Sequence, residues 1–235
     1  MKYKYETVSV RCANHVALAE IKTGNGLNVF SADVRADLAD FLTKADADDR
    51  IRAVILTGAG KNFCIGEIQT NESAAQKTKW GKSRAEYADC VRIIRSMTKP
   101  VIAAVNGYAI GDGMNLALAC DIVVAAKNAA FCEGETYDHR TPGKGRIYFL
   151  HQNLQESMLA KKLRMTIQRI SADDAAQMGL VDRIVPRDNL LAEATALAKS
   201  IALGQTVSIA CFKRLQSRPV SMNLDAAFAE QPFKA

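Results

Sequence analysis

Two stretches of this chain follow one plan. "IRAVILTGAGKNFCIG" runs from Ile51 to Gly66, and "VIAAVNGYAIGDGMNLAL" from Val101 to Leu118. Each opens on an unbroken apolar run, passes through a glycine-rich turn, and in the second case enters an apolar helix with no breaker. A short run that is apolar at every position reads as a strand buried on both faces. Strands of that kind belong to largely parallel sheets, and parallel neighbours need a crossover between them. The repeated plan therefore points to an α/β fold.

The remaining segments extend the alternation. "YETVSVRCANHVALAEI" contains two short β-like runs around Ala13-Asn14, a hairpin signal. "SADVRADLADFLTKA", from Ser31 to Ala45, has helical spacing with Ser31 as the N-cap. Ser83 to Ser96 is helical by pattern, "KPVIAAVNG" a buried strand, "GMNLALACD" a helix and "IVVAA" a strand. Met158 to Arg164 reads as helix, "SADDAAQMG" as a capped helix closing at Gly179, and "LVDRIV" as a strand. "NLLAEATALAKSIA" is a long amphipathic helix whose apolar stripe needs cover. The division expected is a core over residues 1–200 and a short helical segment over 201–235.

Composition narrows the function classes. The 235 residues are 49% hydrophobic, enough for one substantial core. No run of 18 apolar residues predicts a membrane span, and "MKYKYETVSV" lacks the apolar stretch of a signal peptide, so the expected location is cytoplasmic. The six cysteines are scattered without a CxxC pair and read as reduced thiols, while three histidines argue against a His-built metal site. A net charge of +6 allows an anionic partner. Basic residues are not interleaved with aromatics in any block, so nucleic acid is not the expected one.

The segments "AVILTGAGKNFCIGEI", "KPVIAAVNGYAIGDGMNLALACDIVVAA", "AAFCEGE", Pro142-Gly143-Lys144-Gly145 and "RISADDAAQMGLVDRIVP" together resemble the crotonase (enoyl-CoA hydratase/isomerase) superfamily. They cover most of residues 50–190 in family order. The resemblance implies a spiral of repeated ββα units with a C-terminal helical region that trimerises, giving a homotrimer or hexamer. It implies an acyl thioester substrate, carried by coenzyme A or a carrier protein, and no separate cofactor. It also explains the glycines. A thioester enolate carries negative charge on one oxygen, which two backbone N–H groups can stabilise as the charge develops. By resemblance those donors belong to Glu67, after Phe63-Cys64-Ile65-Gly66, and to Asp112, between Gly111 and Gly113. Phe30, Ile65, Gly66, Gly111, Asn115 and His139 fall at substrate-binding positions.

The chain departs from the family pattern in informative ways. Glycine is usual where Asp112 stands, and a carboxylate beside an oxyanion would oppose it. The expectation is that Asp112 turns outward as an acid at the helix N-terminus; the alternatives are a carboxyl with a raised pKa or an impaired pair of donors. Family hydratases use two glutamates; here the first position is Asn115, which cannot take a proton at neutral pH. The second is Glu135, with Gly134 in place of proline, and Glu133 nearby reads as a solvated loop acid. A lone carboxylate suits a 1,3-proton shift, in which one base removes a proton and returns it elsewhere. Tyr137-Asp138-His139-Arg140 occupies a usually apolar segment, and the loop "IKTGNGLNVFSADV" keeps Asn28-Val29-Phe30 but lacks the usual proline and basic cluster. The expected activity is isomerisation or hydration/lyase chemistry with Glu135 as acid/base. Decarboxylation or C–C hydrolysis is the alternative, and a non-catalytic, RNA-associated relative is the second.

Overall fold

In the computed structural model, the described residues are 3–24, 26–67, 90–133, 158–166 and 168–216. Among these described residues, nine strands fall in two sheets. The larger runs in the order β1 (Val8–Ala13), β2 (Val16–Ile21), β3 (Ala53–Gly58), β4 (Val101–Val105), β6 (Ile122–Ala126) and β9 (Arg183–Val185). The smaller is β5 (Tyr108–Ile110), β7 (Ala130–Cys132) and β8 (Ile170–Ser171). Only β1 and β2 pair antiparallel in the larger sheet. Their connection is a two-residue turn with positive φ at both Asn14 (51°) and His15 (64°), the geometry whose twist matches a hairpin.

Successive turns of chain give one strand to each sheet. β4 joins the large sheet and β5 the small one; β6 and β7 repeat this. A parallel bridge between Cys64 and Ala109 gives the turn after β3 the same place beside β5. This is the spiral of ββα units that the family resemblance implied.

Six helices are described: α1 (Ala32–Ala47), α2 (Asp112–Ala119), α3 (Met158–Thr166), α4 (Ala172–Gln177), α5 (Leu190–Ala202) and α6 (Thr206–Gln216). A further helical stretch covers 90–96. Ser31 and Ser171 cap α1 and α4, each accepting from the backbone N–H three residues on.

The unbroken apolar strands are buried on both faces. Val54, Leu56, Val101, Ala103 and Val105 face the main core with α1. Ala53, Ile55, Ile102, Ala104 and Val124 face the other way, onto Leu190, Ala194, Ala198 and Ala202 of α5. The stripe of α5 is therefore covered by the chain's own sheet. Its amphipathicity is accounted for without a second copy. α6 is tied to the sheet by Lys213, whose Nζ meets Asp121 Oδ2 at 2.7 Å and donates to the Lys99 carbonyl at 2.9 Å.

Candidate active site

The first glycine-rich turn is shaped by two buried asparagines. Asn28 Nδ2 donates to the carbonyls of Ala59 (2.9 Å) and Asn62 (2.6 Å), and Asn106 Nδ2 to those of Gly58 (2.9 Å) and Gly60 (3.0 Å). The loop carbonyls left over by β3 are thereby satisfied without water. A side chain at Gly107 would strike the Lys61 carbonyl at 1.9 Å, so the turn before β5 lies directly against this loop. The chain then passes Phe63 and Cys64, both fully buried, to Gly66 at φ +75°.

The Gly66 carbonyl accepts from the Phe30 N–H at 2.8 Å. A peptide unit is planar and trans, so its N–H points opposite to its C=O. Holding the Gly66 oxygen therefore also aims the Glu67 N–H. The second turn is held in the same manner. Gly111, at φ +54°, donates its N–H to the Cys132 carbonyl, and its own carbonyl accepts from Asn115 twice: from the backbone N at 3.1 Å and from Nδ2 at 3.0 Å. That fixes the Gly111–Asp112 peptide and aims the Asp112 N–H. This N–H opens α2, where the first N–H groups have no partner within the helix and the dipole favours negative charge.

The two turns touch. A Cβ on Gly66 would lie 3.2 Å from the Asp112 nitrogen and 2.8 Å from the Ile110 carbonyl oxygen. One on Gly113 would fall 2.0 Å from the Cys64 carbonyl oxygen, which already accepts from the Ile110 N–H at 2.9 Å. Only glycine permits this approach, and both positions are glycine.

Several expectations about side chains change. Asp112 does not turn outward: it is 2% exposed, because contact between Gly113 and Cys64 presses the first turn of α2 into the interior. Glu133 is no solvated loop acid. It is 7% exposed, drawn under the N-terminus of α2 by the Gly111–Cys132 hydrogen bond. Phe30 is fully buried and serves the turn through its backbone, while Ile65 is half-buried. Asn115 is also fully buried, with Nδ2 committed to Gly111 and Oδ1 without a hydrogen-bond donor among the described residues. Glu67 is partly exposed. Glu135 and the Tyr137-Asp138-His139 segment lie outside the described residues.

Arg35 was not singled out in the sequence. Its guanidinium, 2% exposed, donates from Nη1 to the Phe30 carbonyl at 2.7 Å and brings Nη2 to 3.6 Å from Glu67 Oε1. Its helical spacing to Leu38, Leu42 and Ala45 on the buried stripe of α1 was the available signal. The Cys64 thiol registers the surroundings. Burial chiefly pushes it up to about 12; the nearby Asp112 carboxylate adds to the rise, while the Gly66 N–H and Arg35 oppose it. Among the described residues, no group of three or more His, Cys, Asp or Glu side chains converges as a metal site requires.

A parallel-rich spiral carrying two abutting glycine turns, one opening a helix, defines a protein of the crotonase class. The sequence matches the Enoyl-CoA hydratase/isomerase family over residues 11–232, and the chain belongs to that family. It is 33% identical over 215 residues to the short-chain-enoyl-CoA hydratase of Clostridium acetobutylicum, covering 91% of this chain and 82% of that protein. The crystal structure of an enoyl-CoA hydratase from Bacillus anthracis superposes with a TM-score of 0.89 at 30% identity, covering 95% of this chain and 87% of the other. A monofunctional enoyl CoA isomerase from M. smegmatis superposes with a TM-score of 0.82 at 30% identity, covering 96% and 99%.

Proposed function

We propose that the protein binds an enoyl-CoA with its thioester oxygen between the N–H groups of Glu67 and Asp112, and moves a proton through the resulting enolate. The observation that carries this is the close approach of Gly66 to the Asp112 nitrogen, with the peptide of each donor held through its carbonyl, Gly66 by Phe30 and Gly111 by Asn115. Donors fixed beforehand need no reorganisation when charge develops, and each is worth roughly 10²–10³ in rate.

Glu135 is the proton carrier in this reading. It removes an α-proton from a 3-enoyl-CoA, negative charge passes to the thioester oxygen, and the proton returns at Cγ to give the 2-enoyl-CoA. Asn115 supports this proton shift over hydration. Its Nδ2 holds Gly111, and an amide cannot deprotonate water. Hydration is the second reading, favoured by the similarity to a short-chain-enoyl-CoA hydratase. The coenzyme A of the substrate is the cofactor chemistry required; a carrier-protein thioester draws no support from these relatives. A homotrimer rests on family resemblance alone, since the stripe of α5 is covered within the chain.

The test supplies short-chain 3-enoyl-CoA and 2-enoyl-CoA and follows double-bond position and hydration. Turnover that falls about 10²–10⁴-fold in Glu135→Gln, with thioester binding retained, is the expected result. No turnover of either substrate by the folded protein would overturn the reading.

A further inference from the structure

Arginine is rarely fully buried unless paired, because removing its charge from water is costly. Arg35 nevertheless occupies the buried stripe of α1, in a row with Leu38, Leu42 and Ala45. An apolar side chain would fill that stripe without the desolvation cost. The destination of the guanidinium gives the reason for its presence.

Resting on the thioester reading above, we propose that Arg35 is a positioning residue for the first of the two N–H donors, clamping the Gly66–Glu67 peptide from both sides. On one side Nη1 holds the Phe30 carbonyl at 2.7 Å. The N–H of that same residue holds the Gly66 carbonyl at 2.8 Å, so the arginine anchors the residue whose N–H aims the donor. On the other side Nη2 stands 3.6 Å from the Glu67 carboxylate, on the residue whose N–H is aimed. Face contact with the Phe30 ring, 5.7 Å to its centroid, keeps the guanidinium over the segment it clamps. The planar fork of arginine serves two such partners at once; a lysine ammonium on a flexible stem does not hold them in one geometry.

The charge acts in the same direction. Glu67 brings a carboxylate to the turn whose N–H is the donor, and a negative charge near a forming enolate raises the barrier. A guanidinium near that carboxylate offsets it. The opposed influences of Asp112 and Arg35 on the Cys64 thiol are consistent with the cation lying behind the turn.

The experiment compares Arg35→Met, Arg35→Lys and Leu38→Ala with the parent protein, measuring kcat and KM for a 3-enoyl-CoA alongside thermal melting. Leu38 shares the stripe and is fully buried, so it reports what core damage in α1 does to activity. Arg35→Met is expected to lower kcat about 10²-fold, the worth of one misaimed donor, with KM changed less than threefold. Arg35→Lys is expected to lie between, losing about tenfold in kcat, and it carries the test if the methionine variant does not fold. Leu38→Ala is expected to melt earlier while keeping kcat. A folded Arg35 variant with the parent kcat, a loss seen only in KM, or an equal kcat loss in Leu38→Ala would overturn the assignment of Arg35 alone. A parent protein that turns over no enoyl-CoA would overturn the functional reading, and this assignment with it.

Discussion

Replacing Gly66 by alanine perturbs the structure at the point where its two turns meet. The residue sits at φ +75°, a left-handed conformation that costs an L side chain about 1–2 kcal/mol. The new methyl would lie 2.8 Å from the Ile110 carbonyl oxygen and 3.2 Å from the Asp112 nitrogen, both backbone atoms that cannot swing aside. Overpacking of that kind adds about 1–3 kcal/mol. Gly179 provides the control. Its φ is +76°, and nothing lies within 4 Å of a Cβ built there, so Gly179→Ala carries the conformational cost without the collision. Thermal melts should place Gly66→Ala below Gly179→Ala by several degrees, at roughly 2–4 °C per kcal/mol for a chain of this size. Activity separates them further. Gly66→Ala moves the Asp112 N–H and should lose about 10²–10³ in kcat, whereas Gly179→Ala should keep its rate. If the two variants melt together and both remain active, the claim that the turns meet at Gly66 is wrong.

Three further outcomes follow from the same geometry. Asn115→Ala removes the Nδ2 bond to the Gly111 carbonyl but leaves the backbone bond, so a loss of about tenfold in kcat is expected, less than removing a donor outright; a loss as large as that of Glu135→Gln would assign Asn115 a chemical role instead. Alkylation of the native protein at pH 8 should label the exposed Cys12 first, while Cys64, Cys90 and Cys120, all buried, react only after unfolding; early labelling of Cys64, whose thiol is pushed up to about 12, would contradict its burial. The Arg50 guanidinium and backbone N–H hold the Asp48 carboxyl well below the usual carboxylate range. A folded-state pKa below the unfolded one gives stability that is present above the unfolded value, about 3.9, and lost as pH falls through the folded one. The melting gap between the parent and Asp48→Asn should therefore be open at pH 7 and narrow below about pH 4; a gap independent of pH would refute the pairing.

The sequence was most legible where burial leaves an unbroken pattern. Val101–Val105 and Ala53–Gly58 read as strands because both faces of the sheet are covered, and Ser31 and Ser171 announced their helices through a local hydrogen bond. The smaller sheet was not legible residue by residue. β5 and β7 have three residues and β8 has two, too few to display a period of two. The glycines at 66, 111 and 113 were legible as turns, and the structure brings the backbones of those two turns together. Which way the neighbouring acids face was not legible. Asp112 and Glu133 are enclosed by contacts between residues far apart in the chain, Gly113 with Cys64 and Gly111 with Cys132. The burial of Arg35 was not legible, since an isolated arginine in a helix is usually a solvated one; only its position on the buried stripe of α1 pointed the other way.

The most direct test of the central claim is a crystal structure with a slowly reacting acyl-CoA thioester analogue bound. The thioester carbonyl oxygen should lie about 3 Å from both the Glu67 and Asp112 nitrogens, with the Gly66 and Gly111 carbonyls still held by Phe30 and Asn115. A thioester oxygen bound away from these two nitrogens, or reached by only one of them, would contradict it.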